Sequence, residues 1–71
     1  MPLSRTQIEV AFAGVLGCLP RATDVLQIEH LGGSVDALAD YFLDHFLGGG
    51  SERVTREIVA TRLREVLEVN Q

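Results

Sequence analysis

The sequence has few of the residues that disulfide frameworks, zinc sites and nucleic-acid interfaces need. Its 71 residues include no lysine, no tryptophan, one cysteine and two histidines. One cysteine excludes an internal disulfide, and with two histidines it also excludes a cysteine-rich zinc site. Six arginines oppose ten carboxylates, and the formal net charge of -4 would repel a nucleic-acid backbone or an anionic membrane. We therefore expect no nucleic acid and no membrane among the partners, which should be neutral or basic.

Long hydrophobic runs are also missing. The apolar stretches are far shorter than the ~20 residues of a membrane span, and no basic-then-apolar export signal is visible. A cytoplasmic location is expected, with Cys18 as a small buried residue. With 46% hydrophobic and 23% charged residues, the composition is that of an ordinary globular protein. The length suits one domain over residues 1–71.

Hydrophobic residues at helical spacing predict an all-α fold, a small bundle of three to four helices. A capping-box pattern from Ser4 to Gln7 predicts a first helix at about 5–17, which Gly17 ends. Residues 18–33 mix Pro, Thr, Asp and Gly with isolated apolar residues. They predict a long loop between helices 1 and 2.

The second half of the chain predicts further helices. Ser34 should cap a second helix at about 34–47, and the glycine run at 48–50 should end it as a flexible connection. A last helical segment is expected at about 53–69. It is either one helix or two helices with a break at Thr61, which has the properties of a cap.

Three aspartates, Asp36, Asp40 and Asp44, recur every four residues along the second predicted helix. Neighbouring carboxylates at this spacing destabilise a helix by a few tenths of a kcal/mol per pair, and Asp44 lies at the negative end of the helix dipole. One interpretation is a solvated face; the other is a docking edge whose charge speeds the encounter with basic partners. Val35 and Leu38 would add apolar contacts at that surface, although a core position is commoner for such residues.

Gly32 and Gly33 place the hydroxyl of Ser34 at the start of the second predicted helix. A turn followed by an N-cap explains this pattern, but a helix N-terminus also suits an attached phosphate ester, and glycines leave room for an enzyme. Ser34 is not expected to be a catalytic nucleophile: no third group orients His30, and His45 lies roughly 16 Å away along the helix. We predict that the chain is not an enzyme and has no metal site.

In chain order, these features resemble the phosphopantetheine carrier proteins, the acyl and peptidyl carriers of fatty-acid, polyketide and nonribosomal-peptide assembly. The segment Val15-Leu16-Gly17 is similar to the V-L-G that closes the first helix of peptidyl carriers, and the interval from there to Ser34 has the family's length. Residues 28–35 resemble the family segment F-x-x-L-G-G-x-S-L. Asp36 follows as in the D-S-L-D form of acyl carriers, and Thr61 lies near the threonine that begins the family's last helix.

The sequence departs from the family pattern at three positions. Gly33 stands where an Asp or His usually precedes the serine, and Leu31 stands where a glycine is usual. Ala60 replaces the proline that usually precedes the last helix.

The resemblance implies the acyl carrier protein fold and a free-standing, monomeric carrier without catalytic activity. A phosphopantetheinyl transferase would attach phosphopantetheine from coenzyme A to Ser34, making the chain a phosphoprotein, and the thiol of that arm would hold acyl or aminoacyl cargo as a thioester. An adenylation or acyl-loading enzyme would load the carrier for natural product biosynthesis, and condensing or tailoring enzymes would receive the cargo. The three aspartates would dock these partners.

The alternative function is that of an unmodified, carrier-like docking or dimerisation module. Its last helical segment would then pack on a partner through apolar residues at helical spacing, namely Ile58, Leu63, Val66 and Leu67. Burial of these residues within one monomer would favour the carrier.

Overall fold

Four helices form the fold, which a computed structural model describes for residues 2–69. In chain order they are α1 (Arg5–Leu16), α2 (Ala22–His30), α3 (Val35–His45) and α4 (Arg56–Val69). Within the described residues there is no strand, so the predicted all-α class is confirmed.

The first helix begins and ends as its sequence predicts. The Ser4 N–H donates to Gln7 Oε1 at 2.9 Å, and the Gln7 N–H donates to Ser4 Oγ at 3.2 Å, which completes the capping box. Gly17 has φ 72°, and its N–H donates to the carbonyls of Phe12 and Ala13. The left-handed glycine therefore closes α1.

The expected long loop at residues 18–33 is wrong, because this segment contains α2. The helix begins where Asp24 Oδ2 accepts a hydrogen bond from the Arg21 N–H at 3.0 Å. Val25 and Ile28 then point into the core one turn apart. A nine-residue helix has too few positions for a clear apolar period, and an isolated helix of that length is marginal, so packing decides its formation.

The helices of the second half agree with the prediction apart from their ends. Ser34 caps α3 as expected, and the helix ends at His45, two residues earlier than predicted. The last segment is one continuous helix, so Thr61 lies inside it and begins no separate helix. This helix starts later than expected, because Thr55 caps it by accepting a hydrogen bond from the Ile58 N–H at 3.3 Å.

The core forms where α1 and α3 pack against α4 and where α2 packs against α3. At its centre the rings of Phe12 and Phe42 meet edge to face, with centroids 4.8 Å apart. Gly14 lets α1 approach α4 closely, because a Cβ at this position would lie 2.5 Å from Val66 Cγ1. The largest fully buried side chains are Phe12, Phe42, Ile8, Ile28, Leu38 and Leu63.

The glycine run between α3 and α4 forms a fixed turn, although the sequence predicted a flexible connection. Gly48, Gly49 and Gly50 all have positive φ, and the Gly49 N–H donates to the Leu43 carbonyl at 2.6 Å. A Cβ at Gly50 would lie 2.6 Å from the Val54 carbonyl oxygen and 3.0 Å from Leu43 Cδ2. The close approach of the two chain segments therefore requires glycine at this position.

Cys18 is exposed, so its expected burial is wrong. It lies in the connection between α1 and α2, where the neighbouring Gly17 and Leu19 are exposed as well. Among the described residues no helix has both the length and the hydropathy to cross a membrane.

Candidate functional site

Ser34 lies at the N-terminus of α3, in a turn whose glycines leave its hydroxyl exposed. Its Oγ accepts a hydrogen bond from the Ala37 N–H at 3.1 Å. Gly32 and Gly33 have φ 103° and φ 63°, conformations that favour glycine. No atom lies within 4 Å of the place that a Cβ on Gly32 would occupy, so the space beside this residue is open.

The turn is held from both sides at Gly33. Its N–H donates to the carbonyl of Ile28 on α2 at 2.9 Å, and its carbonyl accepts from the Leu3 N–H at 2.7 Å. A Cβ at Gly33 would lie 3.1 Å from Pro2 Cβ. A side chain at Gly33 would therefore need Pro2 to shift by a few tenths of an ångström, in addition to the strain of the positive φ.

The first turn of α3 has backbone donors free for an anion. Within the described residues, only the Ala37 N–H is capped by Ser34, and the N–H groups of Val35 and Asp36 have no partner. Asp36 places a negative charge nearby, but its Oδ1 lies 3.8 Å from Arg64 Nη2, which partly offsets that charge. A phosphate ester on Ser34 therefore fits the amides, the dipole and the open space of this helix end.

The structure does not bring the two histidines onto this hydroxyl. Among the described residues, Ser34 Oγ has one hydrogen bond, the one from Ala37. His45 lies at the far end of α3, where its ring packs against Tyr41 with centroids 4.3 Å apart. His30 is the last residue of α2 and is exposed.

Two members of the aspartate stripe of α3 form ion pairs with arginines of α4. Asp40 Oδ1 lies 3.0 Å from Arg56 Nε, and Asp36 pairs with Arg64 one helical turn away along α3. Asp44 has no ion pair within the described part of the chain. Sequence reasoning missed these pairs, although Arg56 and Arg64 are eight residues apart and so lie on one face of α4. The stripe is thus neither fully solvated nor fully available for docking.

The apolar residues predicted for docking differ in accessibility. Leu38 is fully buried in the core, so its predicted docking contact is wrong: its side chain fills the space between helices. Val35 is half-buried against the same core. The exposed apolar residues near this end of the molecule are Leu26 and Leu31, on and just after α2, which lie in the segment predicted to be a loop.

A groove runs along α3. Its lining includes two carboxylates and an imidazole, and the lining residues are Leu31, Ala37, Asp40, Tyr41, Asp44 and His45.

A buried polar pair fastens α2 to α3. The Tyr41 hydroxyl donates to Asp24 Oδ1 at 2.5 Å, while the other carboxylate oxygen caps α2. This hydrogen bond is the largest cause of the lowered pKa of Asp24, and the hydrogen bond from the Arg21 N–H lowers that pKa further. Burial has the opposite effect and raises it. The pKa of Tyr41 is raised to about 12. Burial is the largest cause, and the hydrogen bond to Asp24 is the second. The pair is a neutral phenol and a carboxylate at neutral pH and has a structural role.

No three His, Cys, Asp or Glu side chains of the described residues lie close enough together to hold a metal ion. Comparison of the chain with protein-family models, with curated proteins and with solved structures gives no match.

Proposed function

We propose that this chain is a carrier protein that holds phosphopantetheine on Ser34 Oγ and presents acyl or aminoacyl cargo to partner enzymes. The observation that carries the proposal is the exposed Ser34 hydroxyl at the start of α3, directly after two glycines. The small helical fold and the interval between Gly17 and Ser34 support it. When bound, the group supplies a flexible arm whose terminal thiol carries the cargo as a thioester.

The residues of the chain that would take part in the modification lie at the start of α3. The oxygen of Ser34 would form the new bond to the phosphorus next to the pantetheine of coenzyme A, and the serine proton would pass to a base of the transferase. The pyrophosphate bond of coenzyme A would break, and its adenosine bisphosphate half would leave. The Oγ already accepts a hydrogen bond from Ala37, which stabilises the oxygen as that proton leaves. The free N–H groups of Val35 and Asp36 are the donors available to the negative phosphate.

Partners would meet the carrier at the end of the molecule that holds Ser34 and along α3. They include the transferase, an adenylation or acyl-loading enzyme, and a condensing or tailoring enzyme. Because Asp36 and Asp40 are paired with arginines, Asp44 is the one of these three aspartates that is most available to a basic partner.

The competing proposal is an unmodified docking or dimerisation module that uses the last helix. Leu63 and Leu67 are buried in the monomer, Val66 is half-buried, and Ile58 alone of the four predicted contact residues is exposed, at 52%. The apolar face of α4 is therefore mostly used within one chain, which favours a monomeric carrier over an obligate dimer.

Intact mass after incubation with coenzyme A and a promiscuous phosphopantetheinyl transferase tests the carrier proposal. The wild-type chain should gain one phosphopantetheine, and Ser34→Ala should gain none. Ser4→Ala is the matched control, because Ser4 caps α1 as Ser34 caps α3 and each loss costs about 1 kcal/mol of stability. This control must keep the adduct. An adduct on Ser34→Ala, or none on the wild type with several transferases, would refute the proposal.

A further inference from the structure

Pro2 and Leu3, the two residues before the N-cap of α1, lie against the turn that carries Ser34, about thirty positions further along the chain. The Leu3 N–H donates to the Gly33 carbonyl at 2.7 Å, and the Leu3 side chain packs on the core. Pro2 is the residue nearest to the position of a Cβ on Gly33. We call Pro2 and Leu3 the strap.

The strap fixes the orientation of the peptide group that joins Gly33 to Ser34. The Gly33 carbonyl and the Ser34 N–H belong to one planar unit, so a hydrogen bond to that carbonyl sets the orientation of the whole peptide plane. On the opposite side the Gly33 N–H is held by Ile28 of α2. Ser34 follows in an extended conformation, φ -89° and ψ 165°, which places its Oγ over the Ala37 N–H.

The strap buries Gly33 and leaves Ser34 exposed. It therefore orders the turn without covering the hydroxyl. Two glycines in sequence would otherwise give this turn more conformational freedom than any other pair of residues. An enzyme that binds an unordered turn has to order it at the moment of binding, which weakens the complex.

We propose that Pro2 and Leu3 act as a strap that positions Ser34 for a modifying enzyme by fixing the Gly33–Ser34 peptide group. The strap is a positioning element, and the inference that it serves modification rests on the proposed carrier function. The departure at Gly33 fits this arrangement, because its φ of 63° favours glycine and a Cβ would approach Pro2 Cβ to 3.1 Å. Because an ordered turn favours the ground-state complex and the transition state alike, loss of the strap should raise KM and leave kcat within about twofold.

Leu3→Pro and Leu3→Ala form a matched pair that tests the strap. Both variants lose the leucine side chain, but only the proline variant lacks the backbone N–H that donates a hydrogen bond to the Gly33 carbonyl. Amide hydrogen exchange at Gly33 and Ala37, followed by NMR, should be several-fold faster in Leu3→Pro than in Leu3→Ala. The Gln7 N–H belongs to the capping box of α1 and serves as the control. Its exchange rate should be equal in the two variants, which would show that the start of α1 is intact in both.

A backbone ester at Leu3 removes the donor and keeps the side chain. The chain contains a Gly17-Cys18 junction at which two synthetic segments can be ligated, so the full-length ester is accessible. It should show the same faster exchange at Gly33 as Leu3→Pro. Exchange equal to that of the wild type in the ester would overturn the proposal, whatever the proline variant does.

Modification kinetics with coenzyme A and a transferase give the second readout. We expect KM for the Leu3→Pro chain to be about three- to tenfold above that of Leu3→Ala, the ratio that one net hydrogen bond supplies. Equal KM values, or a loss confined to kcat, would contradict the positioning role. If the wild type accepts no phosphopantetheine, the carrier function fails, and the exchange data still decide whether the strap holds the turn.

Discussion

Replacement of Tyr41 with phenylalanine should destabilise the fold by about 2 kcal/mol at neutral pH. The lost hydroxyl is the donor to Asp24, and the two residues are only 6% and 8% exposed, so water cannot readily replace it. A hydrogen bond to a charged group contributes about 1.5–3 kcal/mol, and the carboxylate would keep its cost of burial. Asp24 would retain only the N–H of Arg21. For a domain of this size, 2 kcal/mol lowers Tm by roughly 8–16 °C.

The aromatic ring of Tyr41 does not contribute to this difference. Phenylalanine keeps the packing on His45 and on Phe46, whose ring centroids lie 4.3 and 6.2 Å from that of Tyr41. The measured loss therefore reports the hydroxyl and its carboxylate partner.

The same pair sets the pH dependence of stability. Because the pKa of Asp24 is lowered on folding, its contribution is present above the unfolded value of 3.8 and is lost as the pH falls through the lower pKa of the folded carboxyl. The pKa of Tyr41 is raised on folding from 10.0 to about 12, so this contribution is complete below pH 10.0 and is lost as the pH rises through the folded value. The gap between wild type and Tyr41→Phe should be largest in between and shrink at both ends.

Urea denaturation followed by far-ultraviolet circular dichroism measures that gap, since the variant has no tyrosine or tryptophan to report by fluorescence. In the wild type, absorbance of the phenolate titrates Tyr41 directly because it is the one tyrosine of the chain. Asp24→Ala and the double variant complete a double-mutant cycle, which isolates the interaction of the two side chains. A gap below about 0.5 kcal/mol at neutral pH, or one that stays constant into strong acid, would show that the hydrogen bond does not stabilise the fold as argued.

Two further pairs of variants compare the stability of neighbouring positions, one pair in α3 and one pair in the glycine turn that follows it. Asp40→Asn should cost up to about 1 kcal/mol, because its ion pair with Arg56 is half-exposed, whereas Asp44→Asn at the helix end should be neutral or stabilising by a few tenths. If Asp44 docks basic partners, its variant should also lower the modification rate at low salt, and a rate equal to that of the wild type would remove that role. Gly50→Ala should cost about 1–3 kcal/mol more than Gly48→Ala, since both have positive φ but only Gly50 lies against backbone. Urea denaturation ranks these variants, and equal losses at the two glycines would mean that the turn relaxes to admit a side chain.

Features that depend on residues three or four positions apart were predictable from the sequence. Ser4 with Gln7 marked the start of α1, and Ser34 marked that of α3, because each cap is a hydrogen bond between near neighbours in the chain. Gly17 marked the end of α1 for the same reason, since its left-handed conformation follows from the absence of a side chain.

Features that depend on distant residues were not predictable. The cap that Asp24 provides at the start of α2 is local, but the same carboxylate is held by Tyr41, seventeen positions later, and this contact packs α2 on α3. The pairing of Asp40 with Arg56 requires the turn between α3 and α4 to bring them together. In a single sequence, each of these residues has several equally plausible partners.

The candidate site depends both on contacts between near neighbours in the chain and on contacts between distant residues. Only the first kind can appear in a sequence motif, so the motif is short. Ser34 and its cap are local, but the turn that presents the hydroxyl is held by Leu3 on one side and by Ile28 at the end of α2 on the other. The hydrogen bond between Asp24 and the phenol on α3 keeps α2 in place, so it supports the same turn from a distance. A match to a family's serine segment tests only the local part. The presentation of the hydroxyl to an enzyme also depends on Leu3, Asp24 and Tyr41, which lie outside residues 28–35, and the strap and tyrosine variants remove the contacts of these residues.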